Sequence, residues 1–408
     1  MNIRSIREYF ETILKILRIR NIYLHISANV ILSFCFSVYS WVLPILVSRF
    51  GMYFTGSVYT IVNIASIFFP ALFGVFSDIY GRKLALIISN FISVLIFGVL
   101  AFLWNNPIAL TSVLFLETID IAFFYSASRS FFAESIEDAG LKDFLGTAFS
   151  LAVTFSMIST SLGSLIGGFL INVLGYTKTF IIFLIMSIIS LTMRLFYRET
   201  LKRCEASIQV RNPLQSIKHL REIVGFKGIS LIVVYVLIVS LISNIANIYI
   251  PIFMEKILKM NKMLIGLSYC LMDILSAVVQ PVAGKFVDKF GPLLGIMMMH
   301  IIAAPMVIAF VNSVNPFYAI IFISISSSAS TFYYAGYPTL ITKITKSEIR
   351  STVYGVLTSV MKIGAIPGPI LGALLWSFNP KMTFYATALL DVLAIIILIL
   401  LRAEVGSI

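Results

Sequence analysis

Long apolar runs separated by short polar connections dominate the chain. We place twelve such runs at residues 24–48, 57–76, 84–104, 108–128, 146–172, 179–196, 228–251, 263–284, 293–312, 316–341, 352–376 and 382–401. Most have at least the roughly 18–20 residues that an α-helix needs to cross a bilayer. The pattern therefore predicts an all-α integral membrane protein with twelve transmembrane helices, numbered here span 1 to span 12.

Three motifs occur once in each half of the chain and in the same order. The frame Gly-x-x-x-Asp-x-x-Gly follows span 2 and recurs after span 8, spans 1 and 7 both end around a proline, and spans 5 and 11 share a glycine-rich stretch. A repeat at half the chain length is typical of transporters built from duplicated units. It predicts two pseudo-symmetric six-helix bundles.

This duplication divides the chain into four segments. Residues 1–20 have apolar positions at helical spacing among basic ones, and they predict an amphipathic helix on the cytoplasmic leaflet. Residues 21–197 form the N-terminal bundle, residues 198–227 a basic cytoplasmic linker and residues 228–408 the C-terminal bundle.

Composition and charge support a membrane location and argue against several functions. Hydrophobic residues make up 59% of the chain, charged residues make up 12%, and the net charge is +12. Most Lys and Arg lie in alternate connections, which by the positive-inside rule predicts a plasma-membrane protein with both termini cytoplasmic. We count Arg194 with the basic linker. The distribution of charge thus indicates how the chain is oriented in the membrane. We expect membrane lipid, and no nucleic acid, as a partner.

The chain has no sequence feature of an enzyme or of an ATP-driven pump. It carries no Gly-x-x-x-x-Gly-Lys-Ser/Thr stretch for phosphate binding and no metal-spaced His or Cys cluster. The three cysteines do not suggest a disulfide framework. We therefore expect no catalytic residues, no metal and no cofactor, and we expect a monomer.

The repeated turn is the first candidate functional feature. Gly74 is expected to let a neighbouring backbone approach, and Gly81 to adopt a positive φ. Arg129 and Glu134 are candidate partners for the charges of this loop. The gate motif consists of Gly74, Asp78, Gly81, Arg82 and Lys83, with Gly284, Asp288 and Gly291 in the second half.

Glycines four residues apart in spans 5 and 11 predict flat helix faces that pack closely on a neighbouring helix. This packing stripe consists of Gly163, Gly167 and Gly168 in span 5, and of Gly364, Gly368, Pro369 and Gly372 in span 11.

Over essentially its whole length the chain resembles the major facilitator superfamily. The loop after span 2 matches that family's Gly-x-x-x-Asp-x-x-Gly-Arg-Arg/Lys signature, and span 11 is similar to its antiporter signature. Ser159 and Ser164 replace Gly and Pro of that signature in span 5. The resemblance implies a secondary transporter in which two bundles rock about a cavity lined by spans 1, 4, 7 and 10. It also implies that the loop after span 2 acts as a cytoplasmic gate.

Span 4 departs from the family's drug:proton antiporters, because Glu117-Thr-Ile-Asp120 stands where they carry an Arg followed by Gln-Gly. Glu117 and Asp120 share one helix face near the middle of the span. A charge there costs roughly 2.5–3.5 kcal/mol on insertion scales. A proton or cation site is one interpretation, and a structural hydrogen-bonded pair is the other.

Three further charged residues lie inside spans: Asp273 in span 8, Lys362 in span 11 and Asp391 in span 12. A buried ion pair and a substrate role are equally compatible with them. We expect Lys362 to pair with an acid, with Asp391 preferred over Asp273, and His300 to be a packed polar residue.

Together these features predict a proton-coupled secondary transporter working by alternating access. Its partners are a small organic substrate and protons, and efflux antiport is the leading hypothesis. Proton-driven uptake of a metabolite or sugar is the alternative. A non-transporting membrane receptor is a remote third.

Overall fold

The computed structural model describes residues 12–201, 228–345 and 350–405, and these residues are almost entirely helical. The predicted surface helix of residues 1–20 and the linker of residues 198–227 lie largely outside this part of the chain. Most spans are single helices: Arg20–Val47 for span 1, Arg82–Leu103 for span 3, Pro107–Asp138 for span 4, Ile229–Lys256 for span 7, Lys262–Phe290 for span 8, Pro292–Asn312 for span 9, Pro316–Ile344 for span 10 and Pro380–Val405 for span 12.

The other four spans differ from single helices in simple ways. Span 2 consists of two helices, Met52–Ala65 and Phe69–Tyr80, and span 11 of Arg350–Ala365 and Gly368–Phe378. Spans 5 and 6 form one helical stretch, Leu145–Leu195, which is interrupted at Gly175 by a φ of 78°. A positive φ is accessible to glycine at little cost, so Gly175 separates the two spans without a loop.

Of the residues that the structure describes, nine helical stretches are long and apolar enough to cross a membrane. The merged stretch of spans 5 and 6 counts once among them, and the broken span 2 is missing. Span 10 is also missing, because its serines, including Ser326, Ser327 and Ser330, lower its mean hydropathy. All twelve predicted spans are therefore present as helix.

Contacts divide the chain into two compact units, Met1–Leu46 with Ala65–Cys204 and Val47–Ile64 with Glu205–Ile408. The first helix of span 2 thus groups with the C-terminal spans, although it precedes span 3 in the chain. Its Asn63 donates hydrogen bonds of 3.1 Å to Asn244 Oδ1 and 3.0 Å to the Ala365 carbonyl. The two units are called below the N-terminal unit and the C-terminal unit.

Each unit has its own hydrophobic core. A cluster in the N-terminal unit joins the beginning of span 1 to the end of span 4 and the beginning of span 5, including Ile22, Phe132 and Ala148. A larger cluster in the C-terminal unit joins spans 7, 9, 10, 11 and 12, including Tyr235, Ile296 and Leu398. Polar side chains inside these units are consequently held between well-packed helices.

Candidate functional site

The two carboxylates of span 4 line one cavity within the N-terminal unit. Its volume is about 340 Å³, and spans 1, 3, 4, 5 and 6 contribute side chains to its wall. Glu117 and Asp120 face this space together with Arg194, and the aromatic rings of Phe36 and Phe124 supply apolar surface. The cavity therefore combines three ionisable groups with a partly apolar wall.

Glu117 has a single hydrogen bond among the described residues. The Tyr39 hydroxyl of span 1 donates to its Oε2 at 2.8 Å. The second carboxylate oxygen, Oε1, has no protein donor there. Glu117 is thus the less satisfied of the two acids and has an oxygen available to a proton or a ligand.

Asp120 is held much more firmly and is almost completely buried. Ser89 Oγ donates to its Oδ1 at 2.5 Å, and Ser93 Oγ donates to its Oδ2 at 2.6 Å. The two serines lie four residues apart on span 3, so both hydroxyls point from the same helix face. Both carboxylate oxygens of Asp120 therefore have a hydroxyl donor.

Arg194 is a correction to the sequence analysis, which counted it with the cytoplasmic linker. Its side chain is fully buried at the end of span 6. Its guanidinium donates to the Leu86 carbonyl and to Asn29 Oδ1, both at 2.9 Å. It also interacts electrostatically with Asp120. Asp120 and Arg194 therefore balance each other in charge, and Glu117 is left without a counter-charge.

The buried acid of span 12 has a different partner from the one expected. Asp391 Oδ1 accepts a hydrogen bond of 2.7 Å from His300 Nδ1 of span 9. Lys362 is exposed on its helix and makes no ion pair with any described residue. The preferred Lys362–Asp391 pair is thus wrong, because a neutral or protonated imidazole already occupies the position beside the carboxylate.

His300 and Asp391 border a second cavity, of about 280 Å³, inside the C-terminal unit. Spans 7, 8, 9, 10 and 12 line it, and span 10 contributes Ser326, Ser327 and Ser330. Asp273 of span 8 is half-buried but does not line this cavity. The charged residues predicted in the second half are therefore not brought together at one site.

The gate motif forms a network at the ends of spans 2, 4 and 6. Arg82 forms an ion pair with Asp78 one turn earlier, and its Nε lies 3.6 Å from Glu134 Oε1. Gly81 has a φ of 109°, which suits glycine. A Cβ on Gly74 would have no heavy atom within 4 Å, so the expected close backbone approach there is wrong. Arg129 makes no ion pair among the described residues.

Glu199 completes this network and was not anticipated. Its carboxylate accepts hydrogen bonds from the backbone N–H of Arg82 at 3.0 Å and of Lys83 at 3.1 Å. These are the first residues of span 3, so the side chain caps the helix N-terminus. In the second half Gly291 has a φ of 89°. Asp288 is exposed, and a Cβ on Gly284 would meet nothing within 4 Å.

The packing stripe lies against span 1 in the N-terminal unit and against span 7 in the C-terminal unit. A Cβ on Gly163 would be 2.5 Å from the Phe34 carbonyl oxygen of span 1. A Cβ on Gly364 would be 2.8 Å from the Leu237 carbonyl oxygen of span 7. The rest of the stripe follows the same faces: Gly167 lies against Val38, Gly168 is buried, Gly368 lies against Asn244, Gly372 against Tyr249, and the Pro369 carbonyl accepts from Tyr249 at 2.7 Å.

Several residues of these sites carry a weak signal in the sequence. Ser89 and Ser93 are polar positions four apart in an otherwise apolar span, which is a hint of a buried acceptor. Arg194 is followed by three more apolar or aromatic residues, so it lies inside the apolar run rather than after it.

No group of three or more His, Cys, Asp or Glu residues that could hold a metal occurs in the described ranges.

Comparison with known proteins places these sites in a family. The family model described as Major Facilitator Superfamily matches residues 26–360 and 274–407. No curated relative matches the chain. Among solved structures, a point mutant of the nucleoside transporter NupG has a TM-score of 0.75 at 15% identity, covering 94% of this chain and 100% of that one.

Two further structures have the same fold. A D-xylose-proton symporter has a TM-score of 0.68 at 15% identity, covering 97% of this chain and 99% of that one. A bacterial homologue of the human lysosomal transporter Spinster has a TM-score of 0.73 at 13% identity, covering 96% and 98%. At these identities the likeness concerns the fold, which is that of twelve helices in two halves. From the family match, the chain belongs to the major facilitator superfamily.

Proposed function

We propose that this protein is a proton-coupled secondary transporter that works by alternating access and exports small, apolar or cationic organic molecules by antiport. The observation that carries the proposal is the N-terminal cavity, in which Glu117 has one hydrogen bond and no counter-charge. We assign proton binding to Glu117. We assign to Asp120 and Arg194 the role of a fixed, charge-balanced wall.

The physical reason is the cost of an unbalanced charge inside a membrane. With all three groups ionised, the cavity wall carries one excess negative charge. Such a charge costs roughly 2.5–3.5 kcal/mol at the bilayer centre on insertion scales. A proton on Glu117 removes the excess, and so does a monovalent organic cation. A transporter with this wall can change between its inward-open and outward-open states with either ligand bound, which is what exchange requires.

Proton-driven uptake of a neutral metabolite is the second candidate. The C-terminal cavity favours it, because Ser326, Ser327 and Ser330 have no hydrogen-bond partner among the described residues and could bind a hydroxylated ligand. Two of the structural neighbours are a nucleoside transporter and a xylose-proton symporter by name. On this hypothesis proton and substrate bind together.

An imposed pH gradient distinguishes the two. The purified chain is reconstituted in liposomes, and a panel of lipophilic cations, nucleosides and pentoses is screened for movement under inward and outward proton gradients. Antiport predicts accumulation of a cation on the acidic side of the membrane, and symport predicts accumulation of a neutral solute on the alkaline side. Both hypotheses would be contradicted if, under gradients of either sign, no compound moved faster than it does in protein-free liposomes.

The matched control for the acid is Asp143, an exposed carboxylate outside the cavity. We expect Asp143→Asn to transport as the wild type does, and Glu117→Gln to lose gradient-driven accumulation. Equal loss in both variants would show that the effect is not specific to the cavity.

The remaining assignments follow from this proposal. We propose a plasma-membrane location with both termini cytoplasmic, and the segment boundaries 1–20, 21–197, 198–227 and 228–408. The chain is proposed to act as a monomer surrounded by lipid. The loop around Asp78 and Arg82 is proposed as the cytoplasmic gate, because its ion pairs join the ends of spans 2, 3 and 4.

A further inference from the structure

The first helix of span 11, Arg350–Ala365, has a polar face that plays no part in the proposed function. The exposed positions of this face are Gly355, Thr358, Ser359 and Lys362. They follow one another at offsets of three, four and seven residues, which places them on one side of an α-helix. The opposite side is buried and packs on span 7, where a Cβ on Gly364 would lie 2.8 Å from the Leu237 carbonyl oxygen.

The composition of this face differs from that of a face in contact with lipid. Span 12 provides the comparison. Every exposed residue of span 12 from Met382 to Leu400 is apolar. In the first helix of span 11, between Val353 and Ala365, Ile363 is the one apolar residue among the exposed ones. A helix face that meets lipid is apolar, so this face of span 11 is suited to water.

No other helix in the described part of the chain covers the polar face. Thr358 Oγ1 donates to the Tyr354 carbonyl at 2.7 Å, and Ser359 Oγ donates to the Gly355 carbonyl at 3.0 Å. Both hydroxyls thus bond within their own helix. A Cβ on Gly355 would have no heavy atom within 4 Å. The face is therefore open space in this conformation and not an interface between two helices.

Lys362 brings a positive charge to this face deep in the span. It lies about 14 Å along the helix from Val353, where the membrane-spanning segment begins. The hydrocarbon core is about 30 Å thick, so this position is near its middle. Lys362 is exposed, and no charged side chain of the described ranges interacts with it. A lysine at such a depth is expected to face a water-filled space.

We propose that the polar face of span 11 borders a water-filled cleft, and that Lys362 makes this cleft a binding site for small organic anions such as monocarboxylates. Charge complementarity selects the ligand, because the one charged side chain on the face is a cation without a protein partner. Phospholipid headgroups stay at the membrane surface, about 15 Å away from this depth. The site adds anions to the solutes assigned to the N-terminal cavity, and it does not depend on Glu117.

The test is the reactivity of Ser359→Cys, one turn before Lys362 on the same face. The three native cysteines, Cys35, Cys204 and Cys270, are first replaced by serine. The protein is held in nanodiscs of phosphatidylcholine, which leave both membrane faces accessible and contain no anionic lipid. Two methanethiosulfonate reagents are compared, one carrying a sulfonate and the other a trimethylammonium group. Leu389→Cys, on the exposed apolar face of span 12, is the matched control.

We expect Ser359→Cys to react with both reagents and Leu389→Cys with neither. Side chains three residues apart on a helix have their Cβ atoms roughly 5–6 Å apart. A unit charge at about 6 Å in water changes the local concentration of a charged reagent about threefold. The change is opposite for the two reagents, so adding Lys362→Gln should lower the ratio of the anionic to the cationic reaction rate by about tenfold.

Binding is tested with benzoate as the probe anion and benzyl alcohol as its neutral counterpart. Benzoate should slow the reaction of Ser359→Cys with a neutral maleimide, benzyl alcohol should not, and Lys362→Gln should abolish the protection. An unreactive Ser359→Cys, a ratio that Lys362→Gln leaves unchanged, or a lack of protection by benzoate would each overturn the proposal. Thr358→Cys gives the same readings if Ser359→Cys does not fold. Glu117→Gln should change none of these rates, so failure of this site and failure of the proposed transport mechanism give different results.

Discussion

Replacing Gly163 by alanine tests the packing of span 5 on span 1. A Cβ at this position would lie 2.5 Å from the Phe34 carbonyl oxygen and 2.8 Å from the Phe34 Cα. Both atoms belong to the backbone of span 1, so no side-chain rotation relieves the overlap. The two helices must move apart. Gly98 of span 3 is the matched control, because its Cβ would meet only Leu184 Cδ1 at 3.8 Å.

The magnitude follows from two opposing effects. Alanine is favoured over glycine inside a helix by roughly 0.5–1 kcal/mol, and both positions lie well inside helices. Inserting a methyl group into a close-packed contact costs about 1–3 kcal/mol. The helix effect cancels between the two variants. Gly163→Ala should therefore be less stable than Gly98→Ala by about 1–3 kcal/mol.

The assay is the free energy of unfolding in mixed micelles, measured by titration with a denaturing detergent and followed by circular dichroism. Gly98→Ala should unfold at the same or a higher denaturant concentration than the wild type, and Gly163→Ala at a lower one. Equal midpoints for the two variants would refute the reasoning, since the contact with Phe34 would then not restrict the spacing of the helices.

Three further predictions concern the gate motif and the topology. Asp78→Asn should slow transport while changing the unfolding free energy by less than about 1 kcal/mol, because the Asp78 side chain is 67% exposed; unchanged transport in liposomes would contradict it. Glu199→Ala should destabilise the fold by roughly 0.5–2 kcal/mol through loss of a helix cap, with the exposed Glu137→Ala as control in the same unfolding assay. In Lys259→Cys the cysteine should react with an impermeant thiol reagent from outside the cell, and in Lys142→Cys it should not. The reverse result would show that the chain has the opposite orientation in the membrane.

Hydrophobic patterning predicted the fold well, because length and apolarity decide which segments cross a membrane. All twelve spans appear as helix in the structure. Span 10 shows the limit of hydropathy alone, since its serines lower the mean while the helix still spans Pro316–Ile344. The break of span 2 between Ala65 and Phe69 is not visible in hydropathy, because the segment stays apolar through it, and its signal is Pro70 in the first turn of the second helix.

The partners of buried charges were much harder to predict. The sequence places Glu117 and Asp120 on one face of span 4, and both do line one cavity. It cannot specify that Ser89 and Ser93 hold Asp120, since that depends on how span 3 is rotated against span 4. Likewise Asp391 pairs with His300 rather than Lys362, because span 9 packs beside span 12. Such pairings depend on helix rotation, which a one-dimensional pattern does not contain.

Substrate counterflow with Glu117→Gln tests the central claim most directly. Liposomes preloaded with unlabelled substrate are diluted into labelled substrate without a pH gradient, and the same preparation is then assayed under a proton gradient. If Glu117 is the proton carrier, the variant keeps exchanging labelled for unlabelled substrate but no longer accumulates it under the gradient. A Glu117→Gln protein that still concentrates substrate against its gradient would contradict the account.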